Sequence, residues 1–511
     1  MDYMLDREAL AASELIYDGC QEQPVDLDVS LPDYCPDIQR ILKCQVYPRI
    51  LSKGITGDRL ELEGSYTVKV FYLDSAGTFV RCCDSSDTFS VSIPLKQSAE
   101  NAQIIAFPRV EYINCRATSP RRLDIHGAFS VCARVMAQTE SEVVSGIEGD
   151  DVEQKKDTLT VNRMVGLGRQ QFSVDEVLEL GQGKPTADNI MRTDAFVAVQ
   201  DFKVIPNKIM AKGEVYVRLL YSSGESDFNL EAMEYAVPFT QMVDCDGATE
   251  DCMCDLKISV IGVDIQIKND YSGDKIFFDA QIKLFADAAA YLPSEVTIVT
   301  DAYSKKYDMN IESKQKSMDN LVQCVCDNYV LKTSLSTEDT TVTKVLDIWN
   351  EMSTVSASCE NDQLVFKGKI NLCVLALNEE SRPFYFERMA DFEYAKPYTA
   401  PAGNLRCSAE VCVGGISYRI MGAGLEVKAE LKLCANVSVQ QTFKMITEVT
   451  ADETKPRARD QSAALSIYYA DAGETIWNIA RTYCTSADAI RLENDFSGDS
   501  VENRRMLLIP M

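Results

Sequence analysis

Apolar residues recur at every second position through most of this chain, and one alternating pattern appears three times behind a glycine. Glu63-Gly64-Ser65-Tyr66-Thr67-Val68-Lys69-Val70-Phe71-Tyr72 superposes on Lys212-Gly213-Glu214-Val215-Tyr216-Val217-Arg218-Leu219-Leu220-Tyr221 and on Lys367-Gly368-Lys369-Ile370-Asn371-Leu372-Cys373-Val374-Leu375-Ala376. A period of two puts alternate side chains on one face, so each stretch predicts a strand with one buried side. Upstream, Leu60, Ile209 and Leu364 coincide, as do Ile41-Leu42, Ile190-Met191 and Val345-Leu346, and Pro36 meets Pro185. Downstream, a second strand is read as ending on proline in each copy: Phe89 to Pro94, Met233 to Pro238 and Phe392 to Pro397. Each unit then closes with a strand pair, as in Val110 to Arg116 followed by Leu123 to Val135. Packing two antiparallel sheets face to face buries one side of so many strands. The expected fold is mainly β, with three tandem antiparallel, sandwich-like domains. The repeat is too long for a solenoid, so the units read as separate domains in a row.

Near the C-terminus the period changes. Ile476, Ile479, Ala480 and Tyr483 fall at i, i+3, i+4 and i+7, one face of a helix. Gly473 permits a tight turn before it and Thr475 can cap it. Ala487, Ile490 and Asn494 predict a second helix on the same core, with Asn494 as a buried hydrogen-bonder, and Pro510 stops a last strand. Ile467 and Tyr469 read as the buried side of the first strand. The tail is therefore a small βααβ module.

These patterns divide the chain into a first repeat over 1–140, an acidic linker over 141–160 and a second repeat over 161–300. A connector over 301–333, a third repeat over 334–449, a charged linker over 450–462 and the βααβ module over 463–511 follow.

Charge and composition narrow the function. A net charge of −27 over 511 residues leaves no cationic excess to neutralise phosphates, which argues against nucleic acid. No apolar run reaches the length of a membrane span, so no integral membrane segment is expected. The N-terminal stretch carries acids where a signal peptide carries Lys or Arg, so a cytoplasmic location is expected. In that setting the eighteen cysteines are expected to be reduced. Cys373, Cys412 and Cys434 sit in strand-like alternation as small hydrophobes. Cys82-Cys83, Cys252-x-Cys254 and Cys324-x-Cys326 lack the paired spacing of zinc sites. The single histidine, His126, lies in a predicted strand and reads as having no acidic or cysteine partner nearby in sequence, so neither a metal nor another cofactor is expected. Catalytic signatures are missing as well. There is no phosphate-binding loop or nucleophile elbow, and Gly166-x-Gly168 and Gly422-x-Gly424 lack the third glycine of a dinucleotide site. A non-enzymatic role is the expectation.

Two resemblances sharpen this reading. Residues 465–511, with the Gly473-Glu474-Thr475 turn, Ala489-Ile490-Arg491-Leu492-Glu493-Asn494 and the closing Ile509-Pro510, resemble a LysM domain. The repeats resemble the SPOCS domain through Leu31-Pro32-Asp33, Pro36-Asp37-Ile38, Ile41-Leu42, the glycine-led strand and the strand ending on proline. The third repeat departs most, with Thr340 where the others have proline. Three such repeats before a LysM-like tail resemble the SipL-like family of spore coat morphogenetic proteins. The resemblance implies a mother-cell protein at the forespore surface that binds the ATPase of the coat basement layer through its LysM-like domain. Its helix edge at Trp477 is then a candidate protein anchor, because an exposed tryptophan favours such contacts. LysM domains in general hold N-acetylglucosamine polymers between two loops, here Gly473, Glu474, Thr475 and Ile476 in one and Asp495, Phe496 and Ser497 in the other. Glycan binding is the alternative reading, and self-association through the repeats is a third.

Overall fold

The structure is a computed structural model that describes residues 2–96, 99, 101–224, 230–269, 276–337, 340–422, 424–457 and 464–510. The first repeat contains β1 (Leu5–Ser30), β2 (Ile38–Thr56), β3 (Arg59–Asp74), β4 (Val80–Pro94), β5 (Ala102–Ser119) and β6 (Arg122–Ile147). The second contains β7 (Val152–Glu179), β8 (Asn189–Ile205), β9 (Lys208–Ser222), β10 (Leu230–Asp244), β11 (Met253–Asn269) and β12 (Ile276–Ser304). The third contains β13 (Tyr307–Ser336), β14 (Lys344–Glu360), β15 (Gln363–Leu377), β16 (Pro383–Pro397), β17 (Asn404–Ile420) and β18 (Gly424–Pro456). Each repeat makes two three-stranded antiparallel sheets in one topology: β1-β6-β5 and β2-β3-β4, then β7-β12-β11 and β8-β9-β10, then β13-β18-β17 and β14-β15-β16. The sandwich expectation holds, three times over.

Alternation explains the three cores. Leu60, Leu62, Val68, Val70 and Tyr72 meet Leu123, Ile125, Phe129 and Val131 in the first repeat, and the other two are built alike. The glycine that opens each pattern has a packing reason. A Cβ on Gly64 would lie 2.2 Å from the Arg49 carbonyl and 2.4 Å from the Phe89 ring, and Gly213 and Gly368 face Phe239 and Phe392 in the same way. The ladder pairs Gly64 with Phe89, Gly213 with Phe239 and Gly368 with Phe392. This corrects one expected correspondence: the second-repeat counterpart of Phe89 to Pro94 is Phe239 to Asp244, not Met233 to Pro238. Pro238 sits on an edge strand, where a missing N–H is tolerated.

The third repeat's departure from proline has a partner change. Tyr72 and Tyr221 donate their hydroxyls to the Pro36 and Pro185 carbonyls at 3.2 and 3.1 Å. In the third repeat Ala376 replaces the tyrosine, and the Thr340 carbonyl instead accepts from Thr337.

The expected linkers are largely strand. Residues 141–147 end β6 and 152–160 begin β7, while β13 runs through most of 301–333 and β18 runs on to Pro456. The remainder of the charged linker, 458–462, lies outside the described residues. The outer strands of each repeat form long two-stranded ribbons, and the three ribbons meet in shared clusters. One cluster joins Leu10, Val143, Leu159, Val161, Val296, Ile298, Met318 and Phe443. The acids and serines of 138–147 point outward or to the ribbon edges, which hid the inward residues Val143, Val144 and Ile147 from a compositional reading.

Two cysteine pairs correct the expectation of wholly reduced thiols. Cys20 faces Cys132 and Cys326 faces Cys434 across equivalent ladders, and each pair is a disulfide. The partners stand 112 and 108 residues apart, so no local spacing reveals them. The second repeat has Gln171 and Phe285 in these seats. His126 also differs from expectation. It is exposed, with Asp26 at 3.1 Å and Asp124 at 2.9 Å.

The tail contains β19 (Leu465–Ala470), α1 (Ile476–Thr482), α2 (Ala487–Glu493) and β20 (Arg505–Pro510), with the strands antiparallel. Thr475 caps α1 by accepting from the Asn478 N–H. Asn494 donates to the Ile490 and Leu508 carbonyls and accepts from the Leu508 N–H, tying α2 to β20. No helix among the described residues is long and apolar enough to cross a membrane.

Candidate binding surface of the C-terminal module

The Gly473 turn is tied to residues 499–501, which follow the second loop singled out at 495–497. The Gly473 N–H donates to the Val501 carbonyl, the Val501 N–H to the Glu474 carbonyl, and the Ile476 N–H to the Asp499 carbonyl, at 2.8 to 3.0 Å. Gly473 has φ +92°, which explains the residue type. Glu474 is used internally: its carboxylate accepts from the Tyr468 hydroxyl and from the Asp471 N–H. Thr475 is half-buried, and Ile476 is fully buried in the module's core. Asp495 and Ser497 are exposed, while Phe496 is half-buried with the Arg505 guanidinium 5.2 Å from its ring centre.

Trp477 is engaged within the chain. Its indole N–H donates to Asp301 at 2.9 Å, and its ring meets Tyr303 edge-on with centroids 4.9 Å apart. Arg481 pairs with the same Asp301 at 2.5 Å and donates to the Ala302 carbonyl. The Tyr303 hydroxyl donates to the Thr485 carbonyl, and burial pushes that phenol above its usual range. The module is thereby seated on the far end of the second repeat's ribbon.

The module's outer face is the feature missed by sequence reasoning. The inward side of the strand pair carries Tyr468, Ala470, Leu507 and Ile509. Ile467 and Tyr469, expected inside, are 61% and 63% exposed. They share the outer face with Leu465, Met506 and Leu508, as the cross-strand register requires. Leu492 on α2 is 83% exposed. Apolar residues of both parities, Ile467-Tyr468-Tyr469, left the choice of face open to packing.

A second cluster lies where the repeats meet. Lys43, Arg192 and Asp347 occupy one register position in β2, β8 and β14, just past the same bulge in each repeat. Arg192 is buried between Asp194 and Asp347, 2.8 Å from each, and lies over the Trp349 ring at 4.1 Å. Burial opposes its charge, but the two carboxylates keep it protonated. Burial pushes the Asp347 carboxyl up even so, since two acids share one guanidinium. Arg218 reaches Glu234 at 2.9 Å and the Asn350 oxygen at 2.9 Å. Glu351, Cys373 and Glu387 converge in a way that could suit a cation. The Lys43 ammonium already stands 3.0 Å from Glu351 and 2.8 Å from Glu387, so the charge there is supplied by the chain. Burial raises the Glu387 carboxyl, but hydrogen bonds from Lys43 and Tyr385 outweigh it and bring it down to about 2. Beside this cluster lies a cavity of about 1670 Å³ lined by all three repeats, including Gln45, Arg134, Phe196, Ile258, Asn371 and Val411.

Three copies of one six-stranded unit, joined at a charged hub and followed by a small helical module, define a tandem-repeat β protein. A family model described as SipL, SPOCS domain matches residues 37–118 and 186–268. These ranges cover β2 to β5 and β8 to β11 up to their last residues, so the first and second repeats are each similar to the SPOCS domain of the SipL family. The third repeat repeats that topology outside the matched ranges. No curated protein matches the chain.

Proposed function

We propose that this chain is a non-enzymatic scaffold of spore coat assembly, resident in the mother-cell cytoplasm at the forespore surface. Its LysM-like module binds the ATPase of the coat basement layer, and its repeats fix the position of that module. The observation that carries this reading is the outer face of the module's strand pair, with Leu465, Ile467, Tyr469 and Met506 all exposed. Single exposed apolar residues are ordinary, but a contiguous row on one small sheet favours a protein partner. Trp477 supports the same function indirectly, by holding the module to the ribbon.

The test is a pull-down from sporulating cells with the full chain and with residues 1–460. Capture of the ATPase by the full chain alone supports the proposal, and equal capture by both refutes it. Self-association through the repeats is read in the same experiment, since it would persist in residues 1–460. A glycan reading draws support from the backbone bonds that join the Gly473 turn to residues 499–501. Sedimentation with insoluble peptidoglycan separates it from protein binding.

A further inference from the structure

The first and third repeats each carry a second pair of cysteines that is not bonded. The Cys359 and Cys407 sulfurs lie 3.8 Å apart, one on β14 and one on β17. Cys44 on β2 and Cys115 on β5 pack into one core cluster. In both repeats the two strands are edges of different sheets, with no backbone ladder between them. Side chains alone therefore hold this seam.

The positions are built into the repeat. Cys359 pairs with Leu364 as Ile55 pairs with Leu60 and Val204 with Ile209. Cys407 pairs with Val437 as Ile104 pairs with Val135 and Leu256 with Ala288. The seat that holds two cysteines in the third repeat thus holds Ile55 and Ile104 in the first, and Val204 and Leu256 in the second. The first repeat places its own pair toward the other end of the seam. Among the described residues, the second repeat has neither the ladder disulfide nor a seam dithiol.

We propose that Cys359–Cys407 and Cys44–Cys115 are disulfide-forming sites, through which a peroxide closes the seam of the two end repeats. One thiolate of each pair attacks a peroxide oxygen, giving a sulfenic acid and releasing hydroxide. The neighbouring thiol then attacks the sulfenic sulfur and expels water, forming the S–S bond. The two thiols lose two electrons, and the peroxide is reduced to two waters after hydroxide takes up a proton. In the first repeat Cys115 is the attacking sulfur. A side-chain hydrogen bond with Cys44 holds the Cys115 thiol below the usual range, and the same bond together with burial pushes Cys44 up. In the third repeat burial pushes Cys407 up to about 12.

The test uses the intact chain, freed of reductant and exposed to about one equivalent of hydrogen peroxide per thiol pair. Remaining thiols are then alkylated and linked peptides mapped. The expected result is a loss of four titratable thiols, with links joining 359 to 407 and 44 to 115. In Cys359→Ser the first link disappears, Cys407 stays alkylatable and the second link still forms. The proposal is overturned if these four cysteines alkylate equally before and after oxidation, or if they link to other partners. The peptide map of the unaltered chain decides the matter even where the variant fails to fold.

Discussion

The hub between the repeats and the module at the end of the chain treat the same material in opposite ways. At the hub, apolar residues from all three repeats, among them Phe71, Leu220, Trp349 and Leu375, are buried against one another. Charges that cannot reach water there are paired across repeats, as Lys43 is with Glu351 and Arg192 with Asp347. In the module, a strand pair of six residues each keeps one apolar face inward and leaves another open. The hub pairs its buried charges within the chain, and the module leaves an apolar sheet face open, the face proposed above to meet a partner.

Breaking the hub gives the largest effect. Arg192→Ala leaves Asp194 and Asp347 buried without a counter-charge, at a cost of about 3–5 kcal/mol. Denaturant unfolding should show it, and a variant as stable as the parent would mean the cluster is not closed in solution. Overpacking at Gly64→Ala pushes a Cβ into the Arg49 carbonyl and Phe89, with an expected loss of about 1–3 kcal/mol in the same assay.

Changing the module should separate affinity from stability. Ile467→Arg is expected to leave the melting temperature almost unaltered, within about 0.5 kcal/mol, because the side chain is exposed. Partner binding should fall by about 2 kcal/mol, read by titration of the ATPase. Lost stability with retained binding would reverse the roles assigned to the two faces. Trp477→Ala should instead loosen the module's seat on Asp301 and Tyr303, raising protease sensitivity of residues 464–510 ahead of the repeats.

The smallest effect is the pH dependence of the Lys43–Glu387 contact. Glu387 has a folded value lowered to about 2, below its unfolded value. Its contribution is therefore present above the unfolded carboxylate range and is lost as pH falls toward 2. Glu387 is partly exposed, so solvent screening holds this to under about 1 kcal/mol. Comparing acid unfolding of the parent and Glu387→Gln isolates it.

Much of this was legible in the residue order. A strand announces itself by local alternation, and a repeat by the recurrence of Gly64, Gly213 and Gly368, so the β class and the three units could be read directly. The βααβ order of the tail was legible for the same reason, because Ile476, Ile479 and Ala480 mark a helix face within a few residues. The acidic ribbon ends were not, since alternation there is broken by Val143-Val144 and hidden among acids and serines.

What only the tertiary structure decided depends on partners far along the chain. Lys43 and Glu387 are 344 residues apart, and Trp477 and Asp301 are 176 apart. The disulfides of Cys20 with Cys132 and Cys326 with Cys434 follow from ladder register, which no spacing encodes. The outward face of Ile467 and Tyr469 was decided when the helices packed on the other side. Periodicity fixes which residues share a face, but burial is a property of what the rest of the chain brings to that face.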